Sequence, residues 1–310
     1  MLEPRRSISD PGAYLDHIWC PVVERWCPLV LAATLVAGCT ASGKQTQPAS
    51  TSRTTSTTGR SVPTTSPVPP RHVFVIVMEN KSSAEALAEP YTSSLTRDFA
   101  LLTNYHAVSH PSVPNYLALT SGSTWGRQDD GYVALPTDDI GHQLTSAGRS
   151  WRAYMEDLPG DCRQDAGSYA VKHNPFAFYG GQCPPQVVPL TQLPADLAGA
   201  TPSFVWITPN GCHDGHDCSA ATADQWLSQV VPEIMASSAW REGGVLFVTW
   251  DEDDGSADNQ VATLVVSPTL RPTKPGDPYD HYSLFATVED LLGLPRLPAV
   301  ASTAATTLCC

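Results

Sequence analysis

Residues His72 to Met78 (HVFVIVM) form a continuous apolar, β-branched run with no polar face, which suits only a strand covered on both sides. Similar runs recur at Ser203 to Thr208 (SFVWIT), Val245 to Trp250 (VLFVTW) and Val261 to Ser267 (VATLVVS). Helical stretches lie between or after them. Thr137 to Ala147 opens with a capping Thr and two acids and stops at Gly148. Ala220 to Met235 carries Trp226, Val230 and Ile234 at helical spacing, and Ser283 to Leu292 is bounded by Ser283 and Gly293. Alternation of this kind predicts an α/β fold, a three-layer sandwich around a mainly parallel sheet. With 310 residues, 42% of them hydrophobic, there is enough chain for one substantial core, and no repeat divides it.

In such folds the ligand lies beyond the carboxyl ends of the strands, so the residues just after each run carry the functional reading. They are Glu79-Asn80, the loop Pro209 to Cys218 (PNGCHDGHDC), and Asp251-Glu252-Asp253-Asp254. Adjacent like charges repel, so a four-acid run after a buried strand implies either full hydration or a relieving cation. A hard divalent cation takes oxygen ligands, which makes Glu79, Asn80, Asp251 and Glu252 the candidate set. The Pro209 loop packs His213, Asp214, His216 and Asp217 together, residue types suited to metal ligation or proton transfer.

The segment His110-Pro111-Ser112-Val113-Pro114-Asn115-Tyr116 places a hydroxyl at the start of a short helix ending at Gly122. Pro is at home in a first helical turn, and free N–H groups there favour a phosphate. Ser112 could therefore be an activated nucleophile. For a single serine, plain N-capping is the commoner role. His281, in Asp280-His281-Tyr282, reads on its own as a loop residue before the last helix.

The N-terminal region speaks to location. Leu29 to Ala37 (LVLAATLVA) has the length of a signal-peptide core, and the Gly38-Cys39 junction after it has the form of a lipobox. Residues 1–38 are thus expected to be a signal peptide. Glu3, Asp10, Asp16 and Glu24 do not suit a basic leader, which puts the expected start near Val22 or Val23. Residues 39–70 are expected to be a lipidated Cys39 and a tether, since 20 of the 31 residues from Thr40 to Pro70 are Thr, Ser or Pro. Residues 71–310 are expected to be the folded, chemistry-bearing domain. In an exported protein the cysteines can pair, most naturally as Cys162–Cys183 and Cys212–Cys218. The terminal Cys309-Cys310 has no assigned role. A net charge of -13 disfavours nucleic acid as a partner, whereas a local metal could still offset a phosphate ester's charge.

Taken in order, HVFVIVMEN, SHPSVPNYLALTSG, AYMEDLP, PNGCHDGHDC, VLFVTWDEDDG and DHYSLFATVEDLLGLP resemble the phosphoesterase family of acid phosphatases and phospholipases C, within the alkaline phosphatase superfamily. The resemblance implies an exported phosphoric ester hydrolase with a divalent metal held by Glu79, Asn80, Ser112, Asp251 and Glu252. It implies Ser112 as nucleophile through a phosphoserine, Asp214 and His216 as second-site or leaving-group residues, and His281 and His110 against phosphate. Its substrate would be a phosphate monoester, a phosphoinositide among the candidates. A phospholipase C-type diesterase and an inactive surface binding lipoprotein are the alternatives. Glu252 stands where the wider superfamily's two-zinc pattern has His, which leaves metal number open.

Overall fold

The computed structural model describes residues 72–306. The expected signal peptide, Cys39, the tether and Cys309-Cys310 lie outside them.

In chain order the elements are β1 (Val73–Met78), α1 (Ser83–Ala88), α2 (Pro90–Asp98), β2 (Ala100–Leu101), β3 (Tyr105–His106), α3 (Ser112–Ser121), α4 (Ile140–Ser146) and β4 (Trp151–Met155). They continue with β5 (Val187–Pro189), α5 (Leu193–Ala198), β6 (Phe204–Thr208), α6 (Ala220–Ala236), α7 (Ser238–Arg241), β7 (Val245–Trp250), β8 (Thr263–Val266), β9 (Tyr279–Asp280) and α8 (His281–Leu291). Seven strands form the central sheet in the order β2-β8-β7-β1-β6-β4-β5. From β7 to β5 every pairing is parallel, while β8 and β2 extend the sheet antiparallel. The expected α/β sandwich is what forms.

Every residue of β1, β6, β7 and β8 is buried. Two helical groups provide the cover: α1, α2, α5, α6 and α7 pack among themselves, and α3 packs on α4 and α8. Phe74, Trp206, Phe247 and Phe285 are among the large side chains that fill the layers between. Burying runs this apolar is the main driving force of the fold.

Several local details differ from expectation for identifiable reasons. Asp139, not Thr137, caps α4, because its carboxylate accepts from Gly141 and His142 N–H. Asp280, not Ser283, caps α8, accepting from the Ser283 N–H and moving the helix start back to His281. The run at Val261 pairs antiparallel and shortens to β8. Strands β4 and β5 carry no strong apolar run; β5 lies at the sheet edge and β4 beside it, each with a partly exposed residue.

Candidate active site

Strands β7, β1 and β6 are adjacent and parallel, so their carboxyl ends open on the same rim of the sheet. Met78 pairs with Trp250, which sets Glu79 beside Asp251. The backbone locks this: Asp251 N–H donates to Met78 O at 2.9 Å, and Glu79 N–H donates to Asp214 O at 2.9 Å. Asn80 takes a left-handed conformation (φ 48°), and its N–H reaches Asp251 Oδ1 at 3.2 Å. Glu79, Asp214 and Asp251 are fully buried, with Glu252 nearly so. Asp253 turns away to accept from Gly255, Ala257 and Asn259 N–H, and Asp254 is exposed. The four-acid run therefore delivers two carboxylates to the cluster, Asp251 and Glu252.

Ser112 is the first residue of α3 and does not cap it; Pro111 occupies the N-cap position with no side-chain hydrogen bond. Asp130 serves the helix end instead, its Oδ1 accepting from Val113 N–H at 3.0 Å. The Ser112 hydroxyl is thereby released to the cluster, 3.3 Å from both Glu79 Oε2 and Glu252 Oε1. Asn115 holds the approach loop. Its Oδ1 accepts from Val108 and Ser109 N–H, and its Nδ2 donates to Ser109 O and Pro111 O.

The histidines divide into distinct roles. His110 is half exposed and lies between two acids, with Nδ1 2.5 Å from Glu252 and Nε2 3.3 Å from Asp253. His281 is fully buried; Nε2 lies 2.6 Å from Asp251 O and Nδ1 2.9 Å from Tyr105 OH. It braces the Asp251 backbone from below and presents no ring nitrogen to the cleft. His216 is exposed at the rim, Nδ1 2.7 Å from Asp217 and Nε2 3.0 Å from Lys172 Nζ. His213 points elsewhere, to Glu156.

Sequence reasoning missed Lys172 and His173. The buried His173 lies with Nε2 3.2 Å from Glu79 Oε1 and Nδ1 3.1 Å from Asp214 Oδ2, stacked on Tyr116. Lys172 Nζ reaches Asp130 Oδ2 at 3.3 Å and so links the α3 end to His216. The only local hint was a Lys-His pair in a loop without periodicity.

Burial of so many carboxylates, with no counter-charge beside most of them, has a cost. Desolvation, with the neighbouring charges of Asp251 and Asp214, pushes Glu79 well above the usual carboxylate range. Desolvation and then Glu252 do the same to Asp251, and burial lifts Asp214 to about 7. Burial raises Glu252 too, against the opposing pull of His110. Burial and the charges of Lys172 and His216 push the His173 ring well below its ordinary value. For Lys172, burial is outweighed by the charges of Glu79 and Asp130, which hold the ammonium form.

Asn80 Oδ1 and Asp251 Oδ2 are buried without a hydrogen-bond partner, and Glu79 Oε1, Asp214 Oδ2 and His173 Nε2 lie in close contacts around the His173 ring that lack hydrogen-bond geometry. Such atoms are rare unless an ion or water completes them. One ligand atom each from Glu79, His173 and Asp214 falls within 4.8 Å of the others, a group that could hold a metal ion. The residues present therefore fit a divalent cation. The mixed nitrogen and carboxylate donors of that group suit a transition metal, while the oxygen set at Asn80, Ser112, Asp251 and Glu252 suits a harder ion.

Solved structures share this architecture at low identity. A Vibrio parahaemolyticus protein of the alkaline phosphatase superfamily aligns with TM-score 0.55 at 14% identity, covering 75% of this chain and 69% of that one. The phosphonate monoester hydrolase of Agrobacterium radiobacter aligns with TM-score 0.50 at 13% identity, covering 72% and 74%. The fold is thus that of the alkaline phosphatase superfamily. Residues 85–295 match the Phosphoesterase family, and the chain belongs to it. It is 35% identical over 237 residues to a phosphatidylinositol-3-phosphatase of Mycobacterium tuberculosis, covering 73% of this chain and 78% of that protein. It is 30% identical to a phosphate-repressible acid phosphatase of Penicillium chrysogenum, of which it spans 59%. The protein is a phosphoric ester hydrolase.

Proposed function

We infer that this chain hydrolyses phosphate monoesters through Ser112, in a metal-assisted site at the carboxyl ends of β7, β1 and β6. The observation that carries the reading is the Ser112 hydroxyl, fully buried, aimed at Glu79 and Glu252 and not used as a cap. Glu79, Asn80, His173, Asp214, Asp251 and Glu252 would hold the metal. A bound divalent ion supplies Lewis-acid stabilisation of phosphoryl charge.

The chain's own groups do the rest. Ser112 Oγ attacks phosphorus as its proton passes to a neighbouring carboxylate, Glu79 or Glu252. The ester P–O bond breaks and the departing alkoxide takes a proton from the Lys172 ammonium, whose other N–H groups are taken by Asp130 Oδ2 and His216 Nε2. Lys172, held by Asp130 and His216, faces developing negative charge. Water then cleaves the phosphoserine to free phosphate and restore Ser112. His110 fixes Glu252, and His281 fixes the Asp251 backbone, so both act by positioning.

The relatives' names support phosphomonoesters as the substrate class, with a phosphoinositide one candidate. Export is supported by the signal-like run, the Gly38-Cys39 junction and the two disulfides that form, Cys162–Cys183 and Cys212–Cys218. Among the described residues no helix is long and apolar enough to cross a membrane. A lipidated Cys39 would supply membrane attachment. The test is phosphate release from p-nitrophenyl phosphate by residues 71–310, with and without chelator. Ser112→Ala is expected to lower kcat by about 1000-fold or more with an unchanged circular dichroism spectrum. Near-normal turnover by that variant would move the nucleophile elsewhere.

A further inference from the structure

Helix α3 begins at Ser112, and its end is poor in donors. Pro111 and Pro114 have no N–H, so the first turn is left with the N–H groups of Ser112, Val113 and Asn115. The Val113 N–H donates to Asp130 Oδ1 at 3.0 Å. The other oxygen of that carboxylate, Oδ2, accepts from Lys172 Nζ at 3.3 Å. One anion thus bridges a helix-end donor beside Ser112 and an ammonium group. A phosphoryl group seeks the same two kinds of donor. A phosphorus poised for attack must also lie about 3–3.5 Å from the Ser112 oxygen, next to this N–H.

We propose that Asp130 sets the affinity of the active site: its carboxylate holds the seat of the substrate's phosphoryl group and must leave before a phosphate ester binds. The proposal rests on the phosphomonoesterase reading above. Two anions cannot share this seat, because like charges so close repel and the Val113 N–H has a single proton to give. The turn that carries Asp130 can outlast its release, since its own bonds do not use that side chain. Asp129 Oδ1 accepts from Gly131 N–H at 2.9 Å and pairs with the Arg127 guanidinium, which also donates to Gly131 O at 3.0 Å. Gln128, Asp129, Gly131, Tyr132 and Val133 around it are exposed. The Asp130 side chain is itself 31% exposed, so its way out leads into water and not through the core.

Occupancy and plain capping predict opposite signs. If Asp130 only satisfies the helix end and steadies Lys172, its loss weakens phosphate binding or leaves it alone. If it holds the seat, its loss strengthens binding, since a seat closed for about nine-tenths of the time costs about tenfold in apparent affinity. The test is titration calorimetry of inorganic phosphate into the protein supplied with a divalent ion, with turnover of p-nitrophenyl phosphate measured alongside. Asp130→Asn keeps an oxygen for the Val113 N–H and removes the charge, whereas Asp130→Ala removes both. Each is expected to lower the Kd of phosphate about tenfold, with Ala melting below Asn. An unchanged or higher Kd in Asp130→Asn overturns the proposal, whatever Asp130→Ala does. A wild-type protein with no turnover of p-nitrophenyl phosphate overturns the parent reading and this one with it. Wild-type turnover without the gain in phosphate affinity overturns this one alone.

Discussion

Asn115→Ala tests whether the nucleophile's approach loop is held by one side chain. Asn115 is fully buried and makes contacts of 3.0, 3.0 and 2.8 Å to Val108 N, Ser109 N and Ser109 O, with a longer one of 3.3 Å to Pro111 O. Truncation leaves those backbone groups without a partner. At about 1 kcal/mol for each of the three short bonds, the loss comes to about 3 kcal/mol. For a domain of this size each kcal/mol moves Tm by about 2–4 °C, so a fall of about 6–12 °C is expected by circular dichroism. Because the same loop carries His110 and leads into Ser112, kcat/KM on p-nitrophenyl phosphate should fall about tenfold or more even well below the lowered Tm. Asn115→Asp keeps both acceptor bonds and loses the donors, so it should fall between wild type and Ala. A Tm change under about 2 °C together with unchanged kcat/KM would refute the bracing role.

Removing divalent ions with a chelator should lower Tm, and adding back a divalent ion should restore it, because buried Glu79, Asp214 and Asp251 carry oxygens without a hydrogen-bond partner that a bound cation would complete; a melting curve indifferent to chelator counts against a resident metal. Glu289 offers a pH test away from the site. Burial raises its carboxyl to about 7 from an ordinary 4.5, so its stabilising contribution is full below about 4.5 and is lost as pH rises through about 7. Glu289→Gln should therefore narrow the fall in Tm between pH 5 and pH 8, and an unchanged fall would show that Glu289 ionises freely in the fold.

The sequence by itself determined the sheet and the rim. VFVIVM (73–78), FVWI (204–207) and VLFV (245–248) are apolar at every position, and in water only burial on both faces satisfies such a run, so their strand state needs no distant information. Parallel neighbours then place Glu79, Asp251, Glu252 and Asp214 together as a matter of topology. What only the tertiary structure decided is how each group is used. Ser112 read as a cap until Asp130 took over the end of α3 and turned the hydroxyl towards Glu79 and Glu252. Lys172 and His173 lie in a loop whose sequence has no period, and they reach the site across 93 and 94 residues of chain from Glu79. His281 read as a loop residue and is a buried brace, because both its ring nitrogens are claimed by Tyr105 and the Asp251 carbonyl. Period and composition are properties of neighbouring residues; a ligand's orientation depends on hydrogen bonds from partners that the chain brings near only by folding.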